Sequence, residues 1–105
     1  YNLFLSWDLC CRGKESTYKV VVGRSEKATG PFFDKNGIPL NQGGGSIVLE
    51  GNKDWYGRGH NSVYHFEGED LIFFHAYDAN DNGAPKLGIR KIDWINGWPV
   101  LKDFK

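Results

Sequence analysis

The run Asn2-Leu-Phe-Leu-Ser-Trp-Asp8 returns as Leu71-Ile-Phe-Phe-His-Ala-Tyr-Asp78, and each copy is followed by a loop and a second apolar run. Aligning Phe4 with Phe73 gives a separation of 69 residues. Aligning Tyr18 of Thr17-Tyr-Lys-Val-Val-Val-Gly23 with Leu87 of Lys86-Leu-Gly-Ile-Arg-Lys-Ile-Asp-Trp94 gives 69 again. One structural unit therefore occurs about twice, with blade-like repeats expected at about 1–50 and 57–102. Such a period points to a β-propeller or another repeated β architecture.

A propeller blade buries its faces against neighbours on both sides, and closed propellers typically need about 4 to 8 blades. A chain of 105 residues holds about two. It opens on Tyr1 inside a strand-like run with no turn or polar lead-in, which reads as a piece of a longer polypeptide. At 40% hydrophobic and 15% aromatic, the composition suffices for a buried core and argues against disorder.

Short runs rich in β-branched and aromatic residues alternate with glycine, asparagine and proline clusters. Strands are expected near 1–7, 17–24, 46–50, 61–66, 70–77 and 86–94, with a weaker one at 98–102. No window of about 12 residues keeps the i, i+3, i+4, i+7 spacing of an amphipathic helix, so the fold class is all-β. The segment from Gly30 to Gly45 is too turn-rich for a strand and too aromatic for a flexible linker. It reads as a blade-to-blade crossover pinned by Phe32 and Phe33. The glycines at 43–45 permit positive φ or a close backbone approach, so the loop is alternatively a ligand-lining one.

Thirteen basic and thirteen acidic residues cancel, so the overall balance offers no attraction to nucleic acid or to an anionic membrane surface. No run approaches the ~20 apolar residues of a membrane-spanning helix. Cys10 and Cys11 are adjacent. A disulfide between neighbours is rare, which makes two free or buried thiols the default reading and the lining of a cleft the second. A zinc site would want further ligands at suitable spacing, and none lies nearby.

Several motifs occur in a telling order: Cys10-Cys11-Arg-Gly, Ser16-Thr-Tyr-Lys, Val22-Gly-Arg-Ser25 followed by Gly30-Pro31, Gly43-Gly-Gly45, Gly57-Arg-Gly-His-Asn-Ser-Val63, His75-Ala-Tyr-Asp78 and Gly97-Trp-Pro99. In this order and spacing they resemble the C-terminal portion of the endo-1,5-α-L-arabinanases of glycoside hydrolase family 43. The likeness runs over nearly the whole chain. It departs at Arg58, where the family pattern has proline. The resemblance implies a five-bladed β-propeller with a substrate cleft across one face. Residues 1–105 would then be a partial propeller of about two four-stranded antiparallel blades at the end of the catalytic domain.

By the same resemblance the parent is an inverting hydrolase of α-1,5-linked L-arabinan, secreted or periplasmic. Inversion requires a general acid and a carboxylate base about 6.5–9.5 Å apart, with water between base and sugar. In the family, the base and a third, pKa-tuning carboxylate lie on earlier blades. The acid precedes the strand that begins here at Tyr1, so no catalytic residue is expected in this chain. Asp8 and Asp78 sit at equivalent strand ends, where aspartate caps turns. Asp34, Glu50, Asp54, Glu67, Glu69 and Asp70 fall in turn-like, solvated settings.

The resemblance equates His60 with a histidine near the propeller axis that, together with water, holds a metal ion, usually calcium. Calcium prefers about six to eight oxygen ligands, and on the residues alone His60 is equally a hydrogen-bonded turn residue. His65 and His75, each within an apolar strand, read as packed or partly exposed core. Trp7, Trp55, Tyr56, Trp94 and Trp98 offer flat faces to sugars but are more often core in β-rich domains. Trp7 and Trp55 flank the loops nearest Cys10 and His60, so the substrate-binding set is Trp7, Cys10, Cys11, Trp55 and His60. The expected partners are arabinan or arabino-oligosaccharide and the missing N-terminal blades. The alternative is a non-catalytic carbohydrate-binding or structural half-propeller that completes a ring by self-association along its open edges.

Overall fold

The computed structural model describes residues 1–102; the last three residues of the expected domain lie outside the described residues. The chain forms two antiparallel sheets and three short 3₁₀ turns. The first sheet contains β1 (Asn2–Trp7), β2 (Lys19–Arg24) and β3 (Ser46–Leu49), in that order. The second contains β4 (Trp55–Phe66), β5 (Glu69–Asp78), β6 (Ala84–Ile95) and β7 (Trp98–Lys102), also in chain order. The second sheet has the four strands expected of a blade, and the first has three among the described residues.

The strand registers explain the repeat. Phe4 lies opposite Val22, and Phe73 lies opposite Ile89. With the first strands kept 69 apart, the second strands are 67 apart (89 minus 22), two fewer than the sequence alignment gave. Eleven residues separate Trp7 from Lys19, whereas nine separate the equivalent Ala76 from Lys86. A shift of two preserves the face of every side chain, because strands alternate with period two.

That alternation creates the core. Phe4, Ser6, Val20 and Val22 share one face of the first sheet, by their pairing. Ile72, Phe74, Ala76 and Ile92 project from one face of the second. Val20 and Leu49 pack against these four in a single buried cluster, with Phe4, Val48, Trp55 and Leu101 at its margin. Val20, Val21, Val22 and Ile72 are almost fully enclosed. Burying such a β-branched side chain contributes about 1.5–3 kcal/mol, so the pleat and the hydrophobic pattern together dictate that the sheets stack.

The connection from 25 to 45 does not cross between sheets, as the sequence suggested; it joins β2 to β3 within the first sheet. Phe33 pins it through the backbone, exchanging hydrogen bonds with Arg24 at 2.8 and 2.9 Å, while its side chain is 39% exposed. The loop folds over the other face of the first sheet. There Leu40 occupies the space above Gly23, and Gly45 (φ 151°) lets the Trp7 indole approach the backbone beside Val21.

Asp34 organises this loop and is buried, 7% exposed, against the expectation of a solvated turn. Its carboxylate accepts N–H bonds from Gly45 at 2.9 Å, from Ile38 at 3.0 Å and from Asn36 at 2.9 Å. Three such donors stabilise the charged form. The amides of Gly45 and Ile38 hold the carboxyl below its ordinary value of 3.8, burial opposing them only in part. A depressed folded value gives stability that is complete above the ordinary value and lost as pH falls through the folded one. In acid titrations of unfolding, Asp34→Asn should therefore lower stability at neutral pH and flatten the loss below about pH 4 relative to the parent chain. An unchanged acid limb would show that Asp34 carries no such linkage.

Candidate functional site

At one end of the molecule the two sheets present three neighbouring connections, 8–18, 50–54 and 79–83. The last two are joined by Ala79 N–H donating to the Asp54 carbonyl at 2.9 Å. Gly83 lies against Gly13 and Lys14 of the first. The antiparallel alternation therefore brings residues from both repeats to one rim.

The 8–18 connection is closed at its base by Thr17 N–H to Leu9 O (2.8 Å) and Leu9 N–H to Thr17 Oγ1 (3.1 Å). Farther out, Arg12 N–H donates to Ser16 Oγ at 3.0 Å. Cys10 and Cys11 are joined by a disulfide, which corrects the expectation of free or buried thiols. Cys11 is exposed and Cys10 half-buried. The adjacent sulfurs meet because the loop turns sharply here, with Asp8 and Cys11 both at φ 68°. The Cys11 N–H donates to the hydroxyl of Tyr77 on β5 at 2.5 Å, tying the disulfide turn to the second sheet.

His60 lies within β4 and not in a loop before it. The strand begins at Trp55, six residues earlier than its sequence suggested, and its pairing with β5 slips on either side of Gly59. Positive φ at Gly57 (53°) and His60 (54°) produces these irregularities. A Cβ at Gly57 would collide with Ser16 Cβ and crowd the Tyr77 ring at 3.2 Å, so glycine is required for close approach as well as for its backbone angle. Arg58, where the family pattern has proline, bonds through Nε to the Glu50 carbonyl at 2.8 Å, bracing the neighbouring connection.

The bulge is held by one residue of the other sheet. Ser6 Oγ accepts from His60 N–H (2.8 Å), Asn61 Nδ2 (2.9 Å) and, more weakly, Asn61 N–H (3.4 Å). The His60 residue itself is exposed. It borders a cavity of about 310 Å³ with Ser62, Phe73, His75 and Leu87. His75 meets Tyr77 edge to face at 4.6 Å between ring centroids. A chain of contacts thus runs from the disulfide through Tyr77 and His75 to the cavity beside His60.

The aromatic candidates are less closely grouped. The Trp7 indole points to Gly45 and Val21, on the face of the first sheet away from the second. Trp55 is half-buried and packs against the core cluster. His65 is exposed and bonds through Nδ1 to Asp70 at 2.7 Å, while the other oxygen of Asp70 accepts from Trp94 Nε1 at 2.7 Å. Asp70 is thus a paired strand residue, and the His65 bond leads the effects that lower its pKa.

Three of the remaining carboxylates have structural partners. Asp8 pairs with Lys19 at 3.1 Å and Glu69 with Lys91 at 2.8 Å. Asp78 caps Asn80 N–H at 2.9 Å, the role expected of a strand-end aspartate. No group of three His, Cys, Asp or Glu residues suited to a metal occurs among the described residues. His60 offers a single imidazole, so the residues of this chain do not by themselves fit the oxygen-rich shell that calcium prefers.

Ser6, Ser16 and Tyr77 are the positioning residues that sequence reasoning missed. Ser6 carried a signal, being a hydroxyl at a core-facing position between apolar neighbours. The Ser6→Ala variant should lose about 1 kcal/mol of unfolding free energy by removing the acceptor shared by His60 and Asn61. The two amides should exchange faster in the folded protein. Unaltered protection at both would show that Ser6 does not hold the bulge.

Comparison with known proteins places this rim in context. The family profile described as glycosyl hydrolases family 43 matches residues 1–99. An extracellular exo-α-(1→5)-L-arabinofuranosidase of Cellvibrio japonicus is 54% identical over 104 residues, covering 98% of this chain and 30% of that protein. An extracellular endo-α-(1→5)-L-arabinanase of Bacillus subtilis is 46% identical over 99 residues, covering 94% and 30% respectively. Among solved structures, Cellvibrio cellulosa α-L-arabinanase complexed with arabinohexaose superposes with a TM-score of 0.93 at 52% identity, over 97% of this chain and 33% of that one. The chain spans about a third of the length of the relatives it matches. A protein of which 104 residues are 30% is about 350 residues long, close to five units of 69. The two sheets are therefore part of a five-bladed β-propeller, and the chain belongs to glycoside hydrolase family 43.

Proposed function

We propose that the chain is the C-terminal part, about two blades, of an inverting hydrolase of α-1,5-linked L-arabinan, and that it supplies one wall of the cleft but none of the proton-transfer carboxylates. The observation that carries this reading is the match of nearly the whole chain to two enzymes whose names share α-(1→5)-L-arabinan chemistry while one is exo and the other endo. Both modes accompany this third of the protein, so the match speaks for the shared linkage and not for the mode of attack.

The packing supports an incomplete ring. By the repeat, the face of the second sheet that carries Phe73 is the counterpart of the first-sheet face that carries Phe4, and that face is buried against a sheet. In this chain Tyr64 and Leu87 remain 63% and 73% exposed. A further blade belongs there. The rim with Cys10, Cys11, Trp55 and His60 would face the sugar chain, Trp7 buttressing it from behind. His60 would give one imidazole to any calcium site, water and residues of other blades supplying the oxygens. The named relatives are extracellular, and the disulfide suits an oxidising compartment.

The test is turnover of debranched arabinan by the chain alone and by the chain fused behind the first two-thirds of the Cellvibrio relative. The chain alone should be inert, and the completed ring should release arabino-oligosaccharides or arabinose with inverted anomeric configuration. Hydrolysis by the isolated chain would overturn the absence of the carboxylates. A stable oligomer that binds arabino-oligosaccharide without cleaving it, alone or completed, would favour a binding module instead.

A further inference from the structure

We propose that the Cys10–Cys11 disulfide is a redox-operated clasp that fastens the rim loop of the first sheet to the second. The disulfide closes a ring within two residues, so it cannot staple distant segments as most disulfides do; its effect is confined to the shape of its own turn. That turn has one long-range attachment at this point. Cys11 N–H reaches the hydroxyl of Tyr77, 66 residues away and only 5% exposed. Cys11 holds a left-handed backbone, φ 68°, which a non-glycine residue adopts at a cost. Ring closure supplies the constraint, and the constrained turn aims the N–H.

The other hydrogen bonds of the loop, among the described residues, stay on its own side, in the Leu9–Thr17 pair and the Arg12–Ser16 bond, while Gly13, Lys14 and Ser16 pack against Gly83 and Gly57 of the second sheet without hydrogen bonds to it. Opening the ring therefore leaves the hairpin folded and its Gly13–Lys14 turn packed on Gly83, and releases the corner at Cys11. The co-reactant is a small dithiol. Its thiolate attacks Sγ of Cys11, on the exposed side, and the Cys10 thiolate leaves and takes up a proton. The second thiolate of the reagent then displaces Cys11, which is protonated in turn. Two protein thiols and one oxidised cyclic reagent result, two electrons and two protons having passed to the protein. Cys11 then relaxes from the left-handed region, and its N–H leaves Tyr77. Through the edge-to-face contact of Tyr77 with His75, the change reaches the cavity beside His60. The clasp stands on these contacts alone; only its consequence for arabinan rests on the function proposed above.

Amide exchange of the 105-residue chain, read without substrate, separates the two. After full reduction, scored as two alkylated thiols, the Cys11 amide should exchange about tenfold faster while the amides of β2 change less than about twofold. Tyr77→Phe should exchange fast at Cys11 already when oxidised, with little added by reduction. The double variant Cys10→Ser, Cys11→Ser should behave as the reduced chain under both conditions. Equal Cys11 rates before and after reduction would overturn the proposal. So would acceleration of β2 in parallel, which would make the disulfide a global stabiliser, or an unprotected β2 in the oxidised chain.

Discussion

The apolar contact between the two sheets is the constraint on which everything else in this structure depends. Val20 and Leu49 from one side meet Ile72, Phe74, Ala76 and Ile92 from the other, and neither sheet has another partner for that face. Hydrophobic burial is not directional. It requires that the faces meet but leaves open how far one sheet slides or turns on the other. The directional contacts at the margin settle this: Ser6 with His60 and Asn61, and Cys11 with Tyr77. Each joins residues more than fifty positions apart, and both lie toward the rim that gathers the candidate residues.

Alignment at that rim is achieved by removing atoms as well as by bonding them. Gly57 leaves the volume that Ser16 and the Tyr77 ring occupy, and its positive φ starts the irregular stretch of β4. The strand does not end there. It keeps pairing with β5 from Trp55↔Asp78 onward, and it spends its register slips around Gly59, so that His60 emerges exposed beside a cavity. A regular ladder through 55–66 would place the imidazole by pleat alone, without the anchorage to Ser6.

Much of the fold was legible in the sequence because two signals are local. The period of two in runs such as Leu71–Asp78 and the glycine or asparagine turns between them locate six strands to within one or two residues, and the 69-residue echo identifies a repeated sheet. What was not legible depends on contacts across the chain. Gly57-Arg-Gly-His60 carries two positive φ angles and reads as loop, yet β5 holds it in a ladder. The 30–45 segment has the length and glycine content of a crossover, yet Asp34, counted as solvated, folds it back within one sheet. Adjacent cysteines read as thiols because their pairing needs a particular turn, and the bonds that flank that turn, to Thr17, Ser16 and Tyr77, are not visible in a local run of sequence. For the candidate site the sequence supplied His60, Cys10 and Cys11, but the residues that position them are Ser6, Ser16 and Tyr77, whose partners across the chain no local pattern announces.

The two units differ where their ladders stop. After Ala76↔Lys86 the second hairpin continues pairing to Asp78↔Ala84 and closes in a short capped turn. The first hairpin stops at Trp7↔Lys19 and has two more residues to place. Those residues belong to a loop with three left-handed positions, Asp8, Cys11 and Gly13, and a disulfide. It leans across to the sheet that does not contain it. Duplicating a β-sheet unit preserves strand length and facing, since a slip of one residue would turn the core outward. An even change in loop length leaves the core untouched, so the connections are free to diverge. The broken symmetry of the 69-residue repeat therefore falls in the connections: modestly in the Cys10–Cys11 turn at the rim, and more largely in the 21 residues of 25–45 against Asn96 and Gly97, which alone join β6 to β7.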